Sequence, residues 1–250
     1  MTTPVRIDLF GLPGSGKTTL AEHLCSERLA DAYGLRSGYK VSVCRELLPS
    51  SAQSPCQRAP IELVGAVASL VGVQADIEHE AFVRRANEIA NCYTDDSDRE
   101  ATVMGWIRDL VARWETVTRL LEPHEAVLCD EGFLMRANAV FSPTEPTAAI
   151  DREHVEFYVE HAPKPDLVVL LDISVEESET RIMNRADGPP VSFAGQDKQA
   201  RGRRLDRMDQ FIAYAANALE SADVPFVRVE TDGSFEAASD RLQRAIEAHR

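Results

Sequence analysis

The chain has 250 residues, 44% of them apolar, and its 41 acidic against 27 basic side chains give a formal net charge of −14. This length is ample for one substantial α/β domain over residues 1–250. The acidity excludes a general nucleic-acid binder, which needs a basic surface to neutralise phosphates, and no apolar run approaches the roughly eighteen residues that cross a bilayer.

Acidity of this size promotes solubility and is compatible with a salty cytoplasm. Met1 to Arg6 lead straight into a strand-like run, not the charged-then-apolar pattern of a secretory signal, so a cytoplasmic location is expected. Cys25, Cys44, Cys56, Cys92 and Cys129 are scattered without a Cys-x-x-Cys pair. Neither a disulfide framework nor a zinc site is indicated, and free thiols are expected.

The predicted elements alternate between strands and helices, which implies a parallel sheet. A strand over Val5 to Phe10 leads into a glycine loop and a helix from Lys17 to about Tyr33. Gly34 and Gly38 break that helix, and Lys40 to Cys44 reads as a second strand. Pro49 to Pro60 reads as a loop. Helices follow over about Ile61 to Val71, Asp76 to Cys92 and Asp98 to Leu121. The last has apolar residues Val103, Ile107, Leu110, Trp114, Val117 and Leu121 at helical spacing, with Ser97 and Glu100 as a capping box. Ala126 to Asp130 and Leu167 to Asp172 are apolar runs ended by an acid, as in buried parallel strands. Ser174 and Glu177 form a second capping box for a helix through about Arg185. Ala186 to Gly202, with two prolines and three glycines, reads as a mobile loop. A helix from Arg203 to Ser221, a strand from Pro225 to Val229 and a helix from about Phe235 complete the chain. Trp106, Trp114, Phe82 and Phe133 are assigned to the core.

The run Gly11-Leu12-Pro13-Gly14-Ser15-Gly16-Lys17-Thr18 is a phosphate-binding loop (Walker A) between a strand and a helix. Its glycines let the backbone curve around phosphates with the amides inward, and the helix N-terminus adds positive potential. Gly11, Pro13, Gly14, Ser15, Gly16, Lys17, Thr18 and Thr19 form the nucleotide-binding set. Lys17 is expected to reach the outer phosphates, and the Thr18 hydroxyl to ligate magnesium.

A phosphate loop alone does not separate kinases from switches or motors. Asp130 ends its strand at the edge where ligands bind in open parallel sheets, and an acid there can hold a magnesium-bound water. Glu131 follows and can position or deprotonate an attacking hydroxyl. Arg45 and Glu46, placed after the second strand, emerge on the same edge, so Glu46 is an alternative base. Arg181 and Arg185, four apart, share a helical face and lead into the 186–202 loop, with Arg201, Arg203, Arg204 and Arg207 beyond it. Such a loop can close over phosphates and stabilise charge in transfer.

The order of these features resembles the P-loop nucleoside and nucleotide kinases, in particular the thymidylate-kinase-like group. The residues that carry the resemblance are Gly11 to Thr18, Arg45-Glu46, Asp130, Pro165 to Asp172 with Arg181 and Arg185, and Thr231-Asp232-Gly233. The resemblance implies a five-stranded parallel sheet in the order 2-3-1-4-5, an arginine-bearing lid over about 186–202, and an acceptor site at about 47–121. It also implies a base site near Thr231 to Ser234. The chain departs from that family at Asp130-Glu131-Gly132-Phe133, where relatives place arginine after the strand-end acid; Arg45 or Arg136 would have to substitute. The loop itself also looks like that of adenylyl-sulfate kinases.

The expected protein is thus an ATP- and magnesium-dependent phosphotransferase, with Lys17, Asp130, Glu131, Arg181 and Arg185 as catalytic residues and Thr18 with Asp130 as metal ligands. Its acceptor is a small molecule, foremost a nucleoside or nucleotide. A regulatory NTPase acting on a protein partner and a kinase of a specialised metabolite remain alternatives. No nucleic acid or membrane is expected as partner, and the oligomeric state, including a homodimer, stays open.

Overall fold

A computed structural model describes residues 5–29, 31–47, 79–122, 124–143, 148–222 and 224–249. The expected helix over Ile61 to Val71 and the loop Pro49 to Pro60 lie outside these residues. The elements in chain order are β1 (Val5–Phe10), α1 (Lys17–His23, prolonged by a π-helical turn Leu24–Arg28), β2 (Ala32–Gly34), α2 (Leu35–Leu47), α3 (Glu80–Asn91) and α4 (Ser97–Leu120). Then come β3 (Ala126–Cys129), α5 (Phe133–Phe141), α6 (Arg152–His161), β4 (Leu167–Asp172), α7 (Val175–Met183), α8 (Lys198–Ser221), β5 (Phe226–Glu230) and α9 (Phe235–Glu247).

The five strands form one parallel sheet in the order β2-β3-β1-β4-β5, as expected. Successive side chains of a strand face opposite sides, and the core divides accordingly. Ile7, Leu9, Ala126, Leu128, Leu167, Val169 and Leu171 pack with α1 and α9. Phe10, Val127, Cys129, Val168 and Leu170 face the larger cluster built from α3 to α8. Asp8 lies on that second side, buried among apolar residues. Because β1 connects outward to β2 while β3 returns across β1 to β4, a crevice opens beyond the C-terminal ends of β1 and β3.

Three further corrections concern the elements, besides the first helix, which ends at Arg28 and not near Tyr33. The second strand is Ala32–Gly34, and Lys40 to Cys44 belongs to α2. Gly38 lies inside α2, where a Cβ would meet the Tyr33 Cβ at 3.4 Å and Val127 Cγ2 at 3.5 Å, ordinary van der Waals distances. Helix α2 therefore runs back from the crevice, and its end carries Arg45 to the opposite edge, where it pairs at 2.8 Å with buried Glu125, just before β3. Neither Arg45 nor Glu46 emerges beside the phosphate loop. Secondly, the cap of α4 is Asp96, not Ser97: its carboxylate accepts from Asp98 N at 3.1 Å and Arg99 N at 3.0 Å. Ser174 does cap α7, accepting from Glu177 N at 3.2 Å. Thirdly, α7 ends at Met183 and α8 begins at Lys198, so the loop is 184–197 and Arg185 lies beyond the helical face it was expected to share with Arg181.

Cys44, buried in α2, is disulfide-bonded, contrary to the expectation of free thiols. Cys25 and Cys129 are free. Among the described residues no helix is long and apolar enough to cross a membrane.

Candidate active site

The loop between β1 and α1 is shaped by glycines in backbone conformations that other residues adopt at a cost. Gly11 has φ 148, and a Cβ there would overlap the Leu171 carbonyl oxygen on β4. Gly14 and Gly16 also have positive φ, at 84 and 88. Gly16 precedes α1 without any side-chain cap, so the first amides of that helix face the loop with no partner from a capping side chain. Ser178 Oγ on α7 donates to the Pro13 carbonyl at 2.6 Å, and a Cβ on Gly14 would sit 3.2 Å from Arg181 Cβ. The loop is thus held between β4 and α7. Thr19 is exposed on the first turn of α1.

Lys17 folds its ammonium back over the loop, donating to the Gly11 carbonyl at 3.0 Å, the Leu12 carbonyl at 2.9 Å and Ser15 Oγ at 3.1 Å. Burial lowers its pKa from 10.5 to about 8, against the opposing pull of Asp130 and Glu131. An anionic ligand in the loop would favour the charged form.

Asp130 and Thr18 come from opposite sides of the crevice and meet: Thr18 Oγ1 donates to Asp130 Oδ2 at 2.7 Å. A hydroxyl and a carboxylate, both oxygen donors at an accessible site, fit a small hard cation such as magnesium. Glu131, exposed beside them, pairs with Arg136 at 2.5 Å. Of the two arginines expected to stand in for the family's missing one, Arg136 reaches this turn and Arg45 does not.

Sequence reasoning missed the residue beneath that turn. Asp8 accepts from the Leu134 amide at 3.4 Å and from the Phe133 amide, so a carboxylate from β1 serves the N-terminus of α5, which has no cap of its own. Its other oxygen, Oδ1, has no hydrogen-bond partner among the described residues. Gly132 makes this approach possible, since a Cβ there would collide with the Asp8 carboxylate. Burial raises the Asp8 pKa from 3.8 to about 7, opposed by the two amides and reinforced by Asp130. A lone acid within Val5-Arg6-Ile7-Asp8-Leu9-Phe10 was the available signal.

A cleft of about 1020 Å³ opens next to the Thr18–Asp130 contact, bounded by α1, the end of β2, α4 and the Asp130 to Arg136 turn. The α4 residues Trp106, Asp109, Leu110 and Arg113 line it, and these fall within the expected acceptor region. Trp106, assigned to the core from sequence, is 45% exposed here, with the Arg136 guanidinium 5.2 Å from its ring centre. Trp114, Phe82 and Phe133 are core as expected.

The arginines around the 184–197 loop are less convergent. Arg181 donates to Glu177 Oε1 at 2.7 Å and to the Thr231 carbonyl at 2.8 Å. Arg185 is exposed past the end of α7, and neither it nor Arg181 lines the cleft. Arg201 pairs with Glu179 at 3.2 Å, Arg203 is exposed, Arg204 lies over the buried Phe193 ring at 5.3 Å, and Arg207 donates to the Phe141 carbonyl at 2.6 Å.

No protein-family model matches the chain, and no curated protein matches it. Among solved structures it is similar to a deoxyadenosine kinase from M. mycoides with the products dCMP and a flexible dCDP bound, at a TM-score of 0.49 and 14% identity over 98% of this chain and 100% of that one. The same enzyme with dCTP bound gives 0.48 and 11% over 98% and 100%, and with dATP bound 0.45 and 13% over 97% and 99%. At these scores the sheet order and the loop geometry, not the likeness, establish the fold.

Proposed function

We propose that the protein is a magnesium-dependent phosphotransferase that moves the terminal phosphoryl group of ATP to a small hydroxyl- or phosphate-bearing acceptor, foremost a nucleoside or nucleotide. The observation that carries this reading is the 2.7 Å contact of Thr18 with Asp130 at the junction of the phosphate loop and the cleft. It supports a metal position between a donor site and a separate acceptor space. The deoxyadenosine kinase likeness agrees in kind but adds no weight.

In this reading the loop amides and Lys17 hold the donor phosphates, and Thr18 and Asp130 hold the magnesium ion. Bound there, the ion neutralises charge that builds on the phosphate oxygens. Glu131 orients the acceptor hydroxyl and takes its proton as the new oxygen–phosphorus bond forms. The bond from the terminal phosphorus to its bridging oxygen breaks, and ADP leaves. Arg136 holds Glu131 in place through their ion pair. Glu46 is dropped as an alternative base because α2 carries it away from the crevice. Arg181 adjoins the loop through α7 and is placed to steady the donor, while a role for Arg185 requires movement of the 184–197 segment.

The test is acceptor-dependent ADP formation by the wild type and Lys17→Ala. Removing Lys17 is expected to lower turnover by about 100- to 1,000-fold, as for a deleted charge-stabilising donor. Turnover at the wild-type level would defeat the assignment, and hydrolysis that no small molecule stimulates but a protein does would favour a regulatory NTPase.

A further inference from the structure

Among the described residues the charges of the cleft are unequal and its cations are already committed. Of these residues four carboxylates line it, Glu22, Asp109, Asp130 and Glu131, against two guanidinium groups, Arg113 and Arg136. Arg113 is held in two-point contact by Asp109, with Nε at 3.0 Å from Oδ1 and Nη2 at 2.7 Å from Oδ2. Arg136 pairs with Glu131 and lies over Trp106. Among the described residues, then, each arginine of the cleft already has a carboxylate partner, and two further acids remain.

A phosphate monoester entering this space has to displace a carboxylate from one arginine while standing close to the others. Both steps are opposed by like-charge repulsion, which works against wrong partners. An uncharged or cationic molecule meets no such barrier. The apolar part of the wall, with Leu35, Leu110 and the exposed Trp106, suits a planar ring, because an indole offers a large rigid face at small entropic cost.

We infer that the acceptor of this cleft is a ring-bearing alcohol without a phosphate, of nucleoside type, so that the protein performs a first phosphorylation and not a second. This rests on the phosphotransferase reading above and narrows it. The reaction then consumes a free hydroxyl compound and yields its monoester.

The experiment pairs common ribo- and deoxyribonucleosides with their 5′-monophosphates. ADP formation is measured with ATP and magnesium, and the quench of tryptophan fluorescence is measured without ATP, with Trp106→Phe as control, because only buried Trp114 then remains. The expected result is a preference for one or more nucleosides over the matched monophosphate of about tenfold or more in kcat/KM, with a quench that Trp106→Phe removes. Asp109→Asn, which releases Arg113, is expected to narrow that preference. Preference for monophosphates, with ADP formed, overturns this inference and leaves the phosphotransferase reading intact. ADP formation with neither class, alongside a nucleoside quench, overturns the phosphotransferase reading and supports the ligand class. Silence in both assays overturns both.

Discussion

Replacing Asp8 by asparagine should flatten the dependence of stability on pH. Asp8 is fully enclosed, and the groups facing it are Cys129 on β3, Asp130 in the turn, the Phe133 and Leu134 amides of α5, and Tyr158 on α6. Burial dominates and raises its pKa from 3.8 to about 7. Below pH 3.8 the carboxyl is protonated in both folded and unfolded chains. Between 3.8 and about 7 the unfolded chain releases a proton that the fold retains, so stability falls as pH rises; above about 7 the loss is constant. At about 1.4 kcal/mol per pH unit the whole effect is about 4 kcal/mol, of which about 2 to 3 kcal/mol falls between pH 5 and 8. Urea unfolding of wild type and Asp8→Asn at several pH values isolates this contribution, because other groups cancel in the difference. The asparagine N–H left beside the unpartnered Oδ1 position shifts the variant equally at every pH. Identical pH slopes for the two proteins would refute the reasoning.

Asp130→Asn should raise the magnesium concentration for half-maximal activity by about tenfold or more without changing the unfolding midpoint, since the group is not buried; superimposable magnesium titrations would contradict the metal assignment. Arg45→Ala leaves buried Glu125 with the Glu122 amide and the Tyr33 hydroxyl but no cation, and should cost about 1 to 2 kcal/mol of stability, discounted for the partial exposure of the arginine. Its acceptor KM should not change, and an altered KM would return Arg45 to the site. Glu46→Gln should likewise leave turnover at the wild-type level in the ADP assay.

The phosphate loop was legible because its geometry is local: glycines at strained positions and a lysine at fixed spacing define it without reference to the rest of the chain. Strands β3 and β4 were legible as short, fully apolar runs, and the sheet order followed from the resemblance. Lys40 to Cys44 misled because alternation identifies a strand only where one face is wet, and Val41, Ser42, Val43 and Cys44 are all buried. The sheet edge needed only three residues to pair with β3. Helix α5 was missed for a related reason, since Phe133, Leu134, Ala137, Asn138, Val140 and Phe141 bury most of its circumference and blur the helical period. Helix α6 was missed as well. Trp106 and Asp8 show the limit at the site itself: composition assigns indoles to cores and acids to surfaces, and here each does the reverse.

The seat of the phosphate loop on α7 has a consequence for how this chain tolerates change. Ser178 bonds Pro13 across 165 residues of sequence, Arg181 lies against Gly14, and Arg181 also holds the Thr231 carbonyl after β5. Helix α7 therefore joins the glycine loop at one end to the 184–197 segment at the other. Any swing of that segment that tilts α7 transmits to Pro13 and Gly14, and substitutions at 178 or 181 retune the loop from outside it. Variation at these positions should be correlated with variation at 13 and 14, although neither pair is adjacent in sequence.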